Sequence, residues 1–556
     1  MLQLIMTFSI NLEVSGEEIF RKLKQTRGTM VAPVFRLAVL LCLVMTVMIM
    51  VEKLAAGMVC LVVKLFGLKP ERRYRWEPMI SPDTPADLEI GALSYPMVLI
   101  QIPMYNEREV YRLSIGAACN LEWPADRMII QILDDSTDTV AKDLVETECQ
   151  RWKSKGLNIN YEFRDNRKGY KAGAMRDGLK LDYVKECDFV AIFDADFQPE
   201  SDFLKRTVPF LIHNPEIALI QARWRFVNAD ENIMTRIQEM SLDYHFKIEQ
   251  EAGSSAFGFF GFNGTCGVWR LSTIVEAGGW KDRTTVEDMD LAVRSGLSGW
   301  RFLYIGDIKV KCELPSTFKA YRYQQHRWAC GPANLFKKML MEIIANKKVS
   351  VWKKIYLIYH FFFVGKVVAH ISTFIFYCVV IPLSVLIPEV EIPTWAVVYL
   401  PTAITLLKSV GTPSSFHLVI IWVLFENVMS LHRIKAAATG LLEAGRVNEW
   451  IVTRKLGDGI NIKTKPAVEV LVMKDAEDLA EVQVSVPLLE HHKKPQIRSW
   501  QRFHVSELWM GVFLSMIGFY DVWYTKYGYF IFLFLQSSAF FITGFDYVGT
   551  FAPCSS

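Results

Sequence analysis

The sequence predicts an α/β protein whose doubly wound, mostly parallel sheet lies between membrane-spanning helices. Two observations predict this class. Between residues 95 and 219, near-continuous apolar runs alternate with polar helical stretches, as in strands that helices cover on both faces. Longer apolar runs crowd both ends of the chain and approach the roughly 20 residues that a spanning helix needs. A polar middle domain therefore lies between two membrane regions.

Composition narrows the class of partner. The chain has 556 residues, of which 51% are hydrophobic and 22% charged, and its formal net charge is only +3. This small charge gives no indication of nucleic acid as the main partner, and none is expected. The ten cysteines are scattered without a CxxC pair, so neither a zinc site nor a disulfide framework is expected.

The apolar runs divide the chain into three parts. Residues 1–68 carry the first span, centred on residues 37–51, residues 69–354 form the middle domain, and residues 355–556 form a second membrane region. Five further apolar runs lie at 355–387, 395–407, 416–429, 507–520 and 527–543. Five or six spans result, because the run at 395–407 is short and contains Pro401. Lys366, His370 and Glu426 fall inside these runs, where they either face a protein interior or wet cavity, or lie near the interface and snorkel.

Polar side chains follow three of the predicted strands. The strands are expected at 96–105, 128–135, 159–163, 189–196 and 217–224. Asn106 and Glu107 follow the first, and Asp134, Asp135 and Ser136 stand at the end of the second. Ligands of doubly wound sheets bind beyond the carboxyl ends of the strands, so this edge is the predicted site.

Asp194 and Asp196 end the fourth predicted strand and suggest a metal. Side chains two residues apart on a strand share a face, and two adjacent carboxylates need a counter-charge. A divalent cation is one candidate, since hard cations take oxygen ligands. The alternative is that both aspartates are exposed to solvent where the strand ends and bind no metal.

A basic, glycine-containing segment at residues 164–179 suggests a phosphate site. It combines Arg164, Arg167, Lys168 and Lys171 with Gly169 at the expected start of a helix. Basic groups at a helix start suit a phosphate, although the segment is not a Walker loop. Together with the carboxylates it predicts a nucleoside diphosphate carried with a divalent cation. The alternative is a basic helix face in solvent.

Two later segments complete the candidate set. Glu287, Asp288 and Asp290 stand at a predicted helix start, where acidic residues are common for electrostatic reasons alone. The stretch QQHRW contributes Gln324, Arg327 and Trp328, whose indole face either packs in the protein or stacks on a sugar ring.

In this order the motifs resemble those of a known family. Asp135, the Asp194–x–Asp196 pair, Glu287 with Asp288, and the QxxRW set look like the D, DxD, ED, QxxRW signature of processive inverting glycosyltransferases of the cellulose-synthase type. Longer sequence segments are similar to those of the plant cellulose synthase-like A family of mannan and glucomannan synthases. They include QIPMYNE, GYKAGA, FFGFNGTCGVWR and TTVEDMDLAVR. The sister group of this family, cellulose synthase-like C, which is linked to the xyloglucan glucan backbone, shares many of these segments.

The resemblance implies a GT-A fold, a nucleotide-sugar donor and a role for each motif residue. Asp288 would be the catalytic base, with Asp135 as a second catalytic residue that also contacts the nucleotide. Donor contacts would come from Glu107, Asp134, Asp135, Lys171, Asp194 and Asp196, the last two also holding Mg²⁺ or Mn²⁺. Acceptor contacts would come from Glu287, Gln324, Arg327 and Trp328, and the segment at 263–265 would lie near them. A gating loop is implied at 449–455 by Trp450, Val452, Thr453 and Lys455, with Trp450 where phenylalanine is usual.

The resemblance also implies the partners. Expected partners are GDP-mannose and GDP-glucose, a growing β-1,4-mannan or glucomannan, and the lipid of the Golgi membrane. A homo-oligomer or an accessory protein is left open. Three rivals stand beside this reading: a β-1,4-glucan synthase that uses UDP-glucose, a non-catalytic membrane scaffold, and an ion transporter suggested by Lys366 and Glu426.

Overall fold

The computed structural model describes residues 21–22, 24–79, 95–409, 411–444, 503–524 and 528–550. The gating-loop residues Trp450, Val452, Thr453 and Lys455 lie outside this part of the chain. Their role stays a prediction.

A seven-stranded sheet forms the centre of the middle domain, with strand order β3-β2-β1-β4-β6-β5-β7. Its strands are β1 Val98–Met104, β2 Met128–Asp134, β3 Ile159–Phe163, β4 Phe189–Ile192, β5 Ile217–Phe226, β6 Gly267–Arg270 and β7 Arg301–Cys312. All neighbouring pairs are parallel except that β6 runs antiparallel to both β4 and β5. The predicted doubly wound, mostly parallel α/β class is therefore confirmed.

The first five strands lie where the apolar runs predict them, and two more were not predicted. β6 has only four residues, too few to display a periodic pattern. β7 is longer, and its second half alternates between exposed and buried positions. That alternation was a usable signal, because β7 is an edge strand that pairs only with β5 among the described strands.

Both faces of the sheet are buried, which explains the unbroken apolar runs. On β1, Val98, Ile100 and Ile102 pack into the core on one face, whereas Leu99 packs into the core on the other. A strand with two buried faces shows no alternation of apolar and polar residues. The parallel arrangement places the carboxyl ends of β1, β2 and β4 at one edge.

The helices of the described chain fall into two groups by position. Those of the middle domain are α2 Tyr111–Cys119, α3 Thr139–Lys153, α4 Tyr170–Gly178, α5 Phe203–His213, α6 Ile233–Tyr244, α7 Glu251–Phe257, α8 Leu271–Glu276, α9 Glu287–Leu297 and α10 Phe318–Ala345. The long or apolar helices on either side of it are α1 Ala32–Leu65, α11 Val351–Ser384, α12 Trp395–Ser409, α13 Val419–Leu442, α14 Val505–Tyr524 and α15 Phe530–Gly544.

Four of the described helices are long and apolar enough to cross a membrane. They lie at Lys24–Leu65, Val351–Ser384, Pro413–Leu442 and Val505–Tyr524. The runs predicted at 395–407 and 527–543 form shorter apolar helices, α12 and α15. The chain is thus a multi-pass membrane protein whose α12 and α15 fall short of the usual spanning length.

Candidate active site

A solvent-open cavity of roughly 1310 Å³ lies at the carboxyl edge of the sheet. Its wall contains all the predicted donor, acceptor and catalytic residues in the described chain except Asp134. The acids among its lining residues outnumber the bases. The acids are Glu107, Asp135, Asp194, Asp196, Glu287, Asp288 and Glu313, and the bases are Arg167, Lys171 and Arg327.

Asp194 and Asp196 both line the cavity, although neither belongs to β4. The strand ends at Ile192, so the two aspartates lie in the turn that follows it rather than on one strand face. The turn is held by the Asp194 backbone N–H, which donates to Thr265 Oγ1 at 3.0 Å. Their shared orientation therefore comes from this loop and not from strand periodicity.

Lys171 bridges the paired aspartates and the 263–265 turn. Its Nζ donates to Asp194 Oδ1 at 2.5 Å and to the Gly264 carbonyl at 2.8 Å. Burial lowers the pKa of Lys171, but the carboxylates of Asp194 and Glu287 outweigh this and leave that pKa raised. Lys171 is therefore a fixed positive charge inside the acidic cavity.

The other predicted phosphate ligands divide between the cavity and the scaffold. Arg164 holds Asp135 through two hydrogen bonds of 2.8 and 2.6 Å, and it also donates to Asp177. Arg167 lines the cavity with its guanidinium 3.5 Å from the ring centroid of Tyr105. Arg164 thus positions a carboxylate, and Arg167 is the arginine of this segment that reaches the cavity wall.

Gly169 caps α4 and permits the close packing of this segment. Its φ of +75° lies in the left-handed region, and an added Cβ would stand 2.7 Å from Asp282 Oδ2. A side chain there would be strained in backbone conformation and would also displace Asp282.

The two adjacent aspartates at the end of β2 point to different environments. Asp135 lines the cavity, and burial raises its pKa despite the opposing effect of Arg164. Asp134 is fully buried and accepts hydrogen bonds from Tyr161 Oη at 2.8 Å and from the Ser136 backbone N–H at 2.9 Å. The structure thus places Asp134 behind the cavity wall, where it holds the loop that carries Asp135.

Glu287 and Asp288 begin α9, as the sequence predicts, and both line the cavity. Asp288 Oδ1 accepts a hydrogen bond of 2.7 Å from the Met289 backbone N–H. Removal from bulk water raises the pKa of Asp288 to about 6. Burial and the neighbouring Asp288 carboxylate raise the pKa of Glu287 to about 8. Burial therefore favours the protonated form of both acids, and the adjacent Asp288 carboxylate favours it further at Glu287.

Asp290 belongs to the same helix but not to the cavity. It is fully buried, and its carboxylate pairs with Arg283 at 2.5 Å and with Arg294 at 2.6 Å. The third acid of this segment therefore stabilises the fold.

Gln324, Arg327 and Trp328 lie on one face of α10 because they are spaced three and four residues apart. All three line the cavity. Burial lowers the pKa of Arg327, while the nearby charges of Glu287, Asp194 and Asp288 act to raise it. The guanidinium therefore faces the same acids that surround Lys171.

Several cavity residues were not predicted from the sequence, among them Tyr105, Trp224 and Glu313. Trp224 packs edge-on against Phe197 with ring centroids 5.3 Å apart, and its buried Nε1 has no hydrogen-bond partner in the described chain. Tyr105 and Trp224 each end a predicted strand, which was the available signal. Glu313 follows β7, which was itself missed.

The fold and this site define the class of protein. A mostly parallel GT-A sheet, an acidic cavity at its carboxyl edge and several membrane-crossing helices are the features of a membrane-associated glycosyltransferase. Two family models match the chain: Glycosyl transferase family 2 over residues 99–266 and Glycosyl transferase family group 2 over residues 189–408.

Full-length relatives define the family more narrowly. The chain is 65% identical over 519 residues to probable glucomannan 4-beta-mannosyltransferase 11 of Oryza sativa subsp. japonica, covering 92% of this chain and 90% of the relative. It is 60% identical over 531 residues to glucomannan 4-beta-mannosyltransferase 9 of Arabidopsis thaliana, covering 96% and 94%. The chain belongs to the glucomannan 4-beta-mannosyltransferase family, which confirms the resemblance drawn from the motifs.

Solved structures also match the chain, at lower similarity. Mannosyltransferase PcManGT from Pyrobaculum calidifontis, in complex with GDP-Man and Mn2+, is 17% identical. That match covers 72% of this chain and 100% of the other, with a TM-score of 0.46.

Proposed function

We propose that the chain transfers mannose, and also glucose, from a GDP-sugar to the end of a growing β-1,4-linked glucomannan. The observation that carries this proposal is that Asp288, the paired aspartates and the QxxRW side chains line one cavity. The names of the relatives supply the sugar and the linkage.

A divalent cation fits the donor end of this cavity. Within the described residues no three His, Cys, Asp or Glu side chains cluster closely enough to hold a metal by themselves. A cation held here by two carboxylates would need further oxygen ligands, which a diphosphate can supply. The excess of acids along the cavity wall also favours a bound cation. Asp194 and Asp196 would hold Mg²⁺ or Mn²⁺, which when bound offsets the charge on the leaving diphosphate.

Asp288 is the proposed general base. In a single displacement, an acceptor hydroxyl oxygen forms a bond to the anomeric carbon as the bond to the diphosphate breaks on the opposite side. The hydroxyl proton passes to the Asp288 carboxylate, and such proton removal contributes roughly 10²–10⁴-fold to a rate. A pKa of about 6 leaves Asp288 mostly ionised at neutral pH yet more basic than an ordinary aspartate. Lys171 and Arg327 supply fixed positive charge on the same wall.

The acceptor end is assigned to α10 and to Glu287. Trp328 offers an aromatic face, and Gln324 presents a buried Oε1 that has no hydrogen-bond partner in the described chain. Burial and the neighbouring Asp288 carboxylate raise the pKa of Glu287, which favours a protonated carboxyl group that can donate a hydrogen bond to a sugar oxygen. These groups would hold the terminal sugar in line for attack.

A donor panel tests the proposal. Detergent-purified, monodisperse protein is offered GDP-mannose, GDP-glucose and UDP-glucose separately, and the product is examined by linkage analysis. We expect 4-linked mannosyl polymer from GDP-mannose and incorporation of glucose from GDP-glucose. Polymer from UDP-glucose alone would favour a β-1,4-glucan synthase, and no product from any donor would favour a scaffold.

The Golgi membrane is the proposed location. It is supported by the membrane-crossing helices and by the resemblance to the cellulose synthase-like A family. A fluorescent fusion that co-localises with a Golgi marker in plant cells is the expected result, and a plasma-membrane pattern would contradict it.

A further inference from the structure

A line of polar side chains leads from the first membrane helix to the cavity wall. It begins at Lys53 of α1, which is buried and donates to Glu249 Oε1 at 2.6 Å. Lys53 also lies 3.0 Å from Glu52 of its own helix. Glu249 belongs to His245–Gln250, the π-helical segment that joins α6 to α7.

The line continues from Glu249 into the 263–265 turn. Its second oxygen lies 2.9 Å from Nδ1 of His245, one turn earlier. The other ring nitrogen, Nε2, lies 3.2 Å from Oδ1 of Asn263. Gln250 reaches the same oxygen, with its Nε2 at 2.9 Å.

These contacts fix which way the Asn263 amide faces. Gln250 Nε2 also donates to the Gly261 carbonyl at 3.2 Å, so this end of Gln250 has to be its nitrogen. The Asn263 atom that receives it is consequently the oxygen, and His245 Nε2 must donate to the same atom. The amide nitrogen Nδ2 then faces away from both, and it is buried without a hydrogen-bond partner in the described chain.

The turn that carries this orphan donor borders the reacting groups. Asn263 and Gly264 line the cavity together with Asp288. Gly264 has φ +80°, and an added Cβ would lie 2.9 Å from Asp288 Oδ2. A small rotation of the Asn263 amide is therefore a change in the wall next to the proposed base.

We propose that Lys53 is a positioning residue for the reaction, acting through Glu249 and His245 on the Asn263 amide. The first membrane helix then sets the aim of a hydrogen-bond donor toward the acceptor sugar. This inference rests on the proposed function, because it concerns the same cavity. The Lys53 ammonium contacts the carboxylates of both Glu52 and Glu249, so this end of the line has opposite charges in contact without a ligand.

The first test is Lys53→Met, assayed for elongation and for donor hydrolysis on monodisperse protein in detergent. The loss of one well-aimed hydrogen bond should lower elongation about three- to tenfold. Hydrolysis to water and the KM for GDP-mannose should change less than twofold, since neither needs the acceptor sugar. Lys53→Arg should restore most of the elongation.

The matched control is Lys64→Met, which removes a lysine from an exposed position of the same helix. It should leave both rates unchanged. Because Lys53→Met strands two carboxylates, His245→Phe supplies a second variant that leaves the Lys53–Glu249 ion pair in place. It should lower the ratio of elongation to hydrolysis by a similar factor.

The double variant decides whether the residues act as one line. If they do, Lys53→Met with His245→Phe is no worse than the poorer single variant. Multiplied losses, or an elongation-to-hydrolysis ratio that stays at the wild-type value in either variant, would overturn the inference. Failure of the wild-type protein to use GDP-mannose would instead overturn the proposed function.

Discussion

Buried charge is arranged differently in the cavity and among the membrane helices. Along the cavity wall, four acids, Asp194, Asp196, Glu287 and Asp288, face the two cations Lys171 and Arg327. In the membrane region, Glu426 of α13 has a matched partner, because it accepts two hydrogen bonds from Arg433, at 2.5 and 3.1 Å. The Arg433 guanidinium also donates to Gln325 of α10 at 2.8 Å.

The difference separates a binding site from a structural contact. A matched buried pair satisfies itself and needs no ligand, whereas an excess of carboxylates requires a cation or a proton. This favours a structural role for Glu426 over the ion-transporter reading.

Removal of divalent cations should have the largest effect. In excess chelator we expect loss of all measurable polymer synthesis, because the acidic wall would repel an uncompensated diphosphate. Addition of Mg²⁺ or Mn²⁺ should restore it. Full activity in excess chelator would contradict the assignment of Asp194 and Asp196 to a metal.

Asp288→Asn should lower polymer synthesis by roughly 10²–10⁴-fold, the usual contribution of a general base. Binding of GDP, measured by calorimetry, should stay nearly intact because the proposed role is proton removal. Asp290→Asn is the matched control on the same helix. It should lower thermal stability, since it weakens a buried acid held by two arginines. Equal losses of binding and turnover in Asp288→Asn would remove it as the base.

Glu426→Ala should destabilise the membrane region by about 3–5 kcal/mol, because Arg433 is left as an unpaired buried charge. The thermal midpoint of detergent-solubilised protein measures this. The double variant Glu426→Leu with Arg433→Met should recover much of the loss. A midpoint that does not move in Glu426→Ala would show that the pair contributes little.

Trp328→Ala should reduce elongation about ten- to hundredfold if its indole stacks on the acceptor, taking the roughly 1–3 kcal/mol of base stacking as an upper scale. Trp328→Phe should retain more activity, and donor hydrolysis should suffer less than elongation. Trp300→Ala is a suitable control, since the Trp300 indole donates to Glu276 and does not line the cavity. An unchanged ratio of hydrolysis to elongation would assign Trp328 to packing alone.

The pH profile should show the smallest effect. Because the pKa of Asp288 is raised to about 6, its basic form is lost as the pH falls through that value. We expect kcat/KM to decrease about tenfold per pH unit below pH 6. A profile that stays flat down to pH 5, on protein that remains folded, would contradict Asp288 as the titrating base.

The sequence by itself determined the elements whose signal is local. Five strands and the apolar helices followed from runs of apolar residues, and the start of α9 followed from its acidic residues. The order of acids after β1, β2 and β4 was enough to predict a site at one edge, since parallel strands bring their carboxyl ends together.

Only the tertiary structure decided which side chains face the cavity. Asp134 and Asp135 are neighbours of the same type, and their opposite roles depend on Tyr161 and Arg164, which are distant in sequence. β6 was missed because four residues are too few to show a periodic pattern, and only its pairing with β4 and β5 identifies it as a strand. The link from Lys53 to Asn263 joins a membrane helix to a turn of the middle domain. Such contacts arise from packing between segments that are distant in sequence, so local sequence patterns do not predict them.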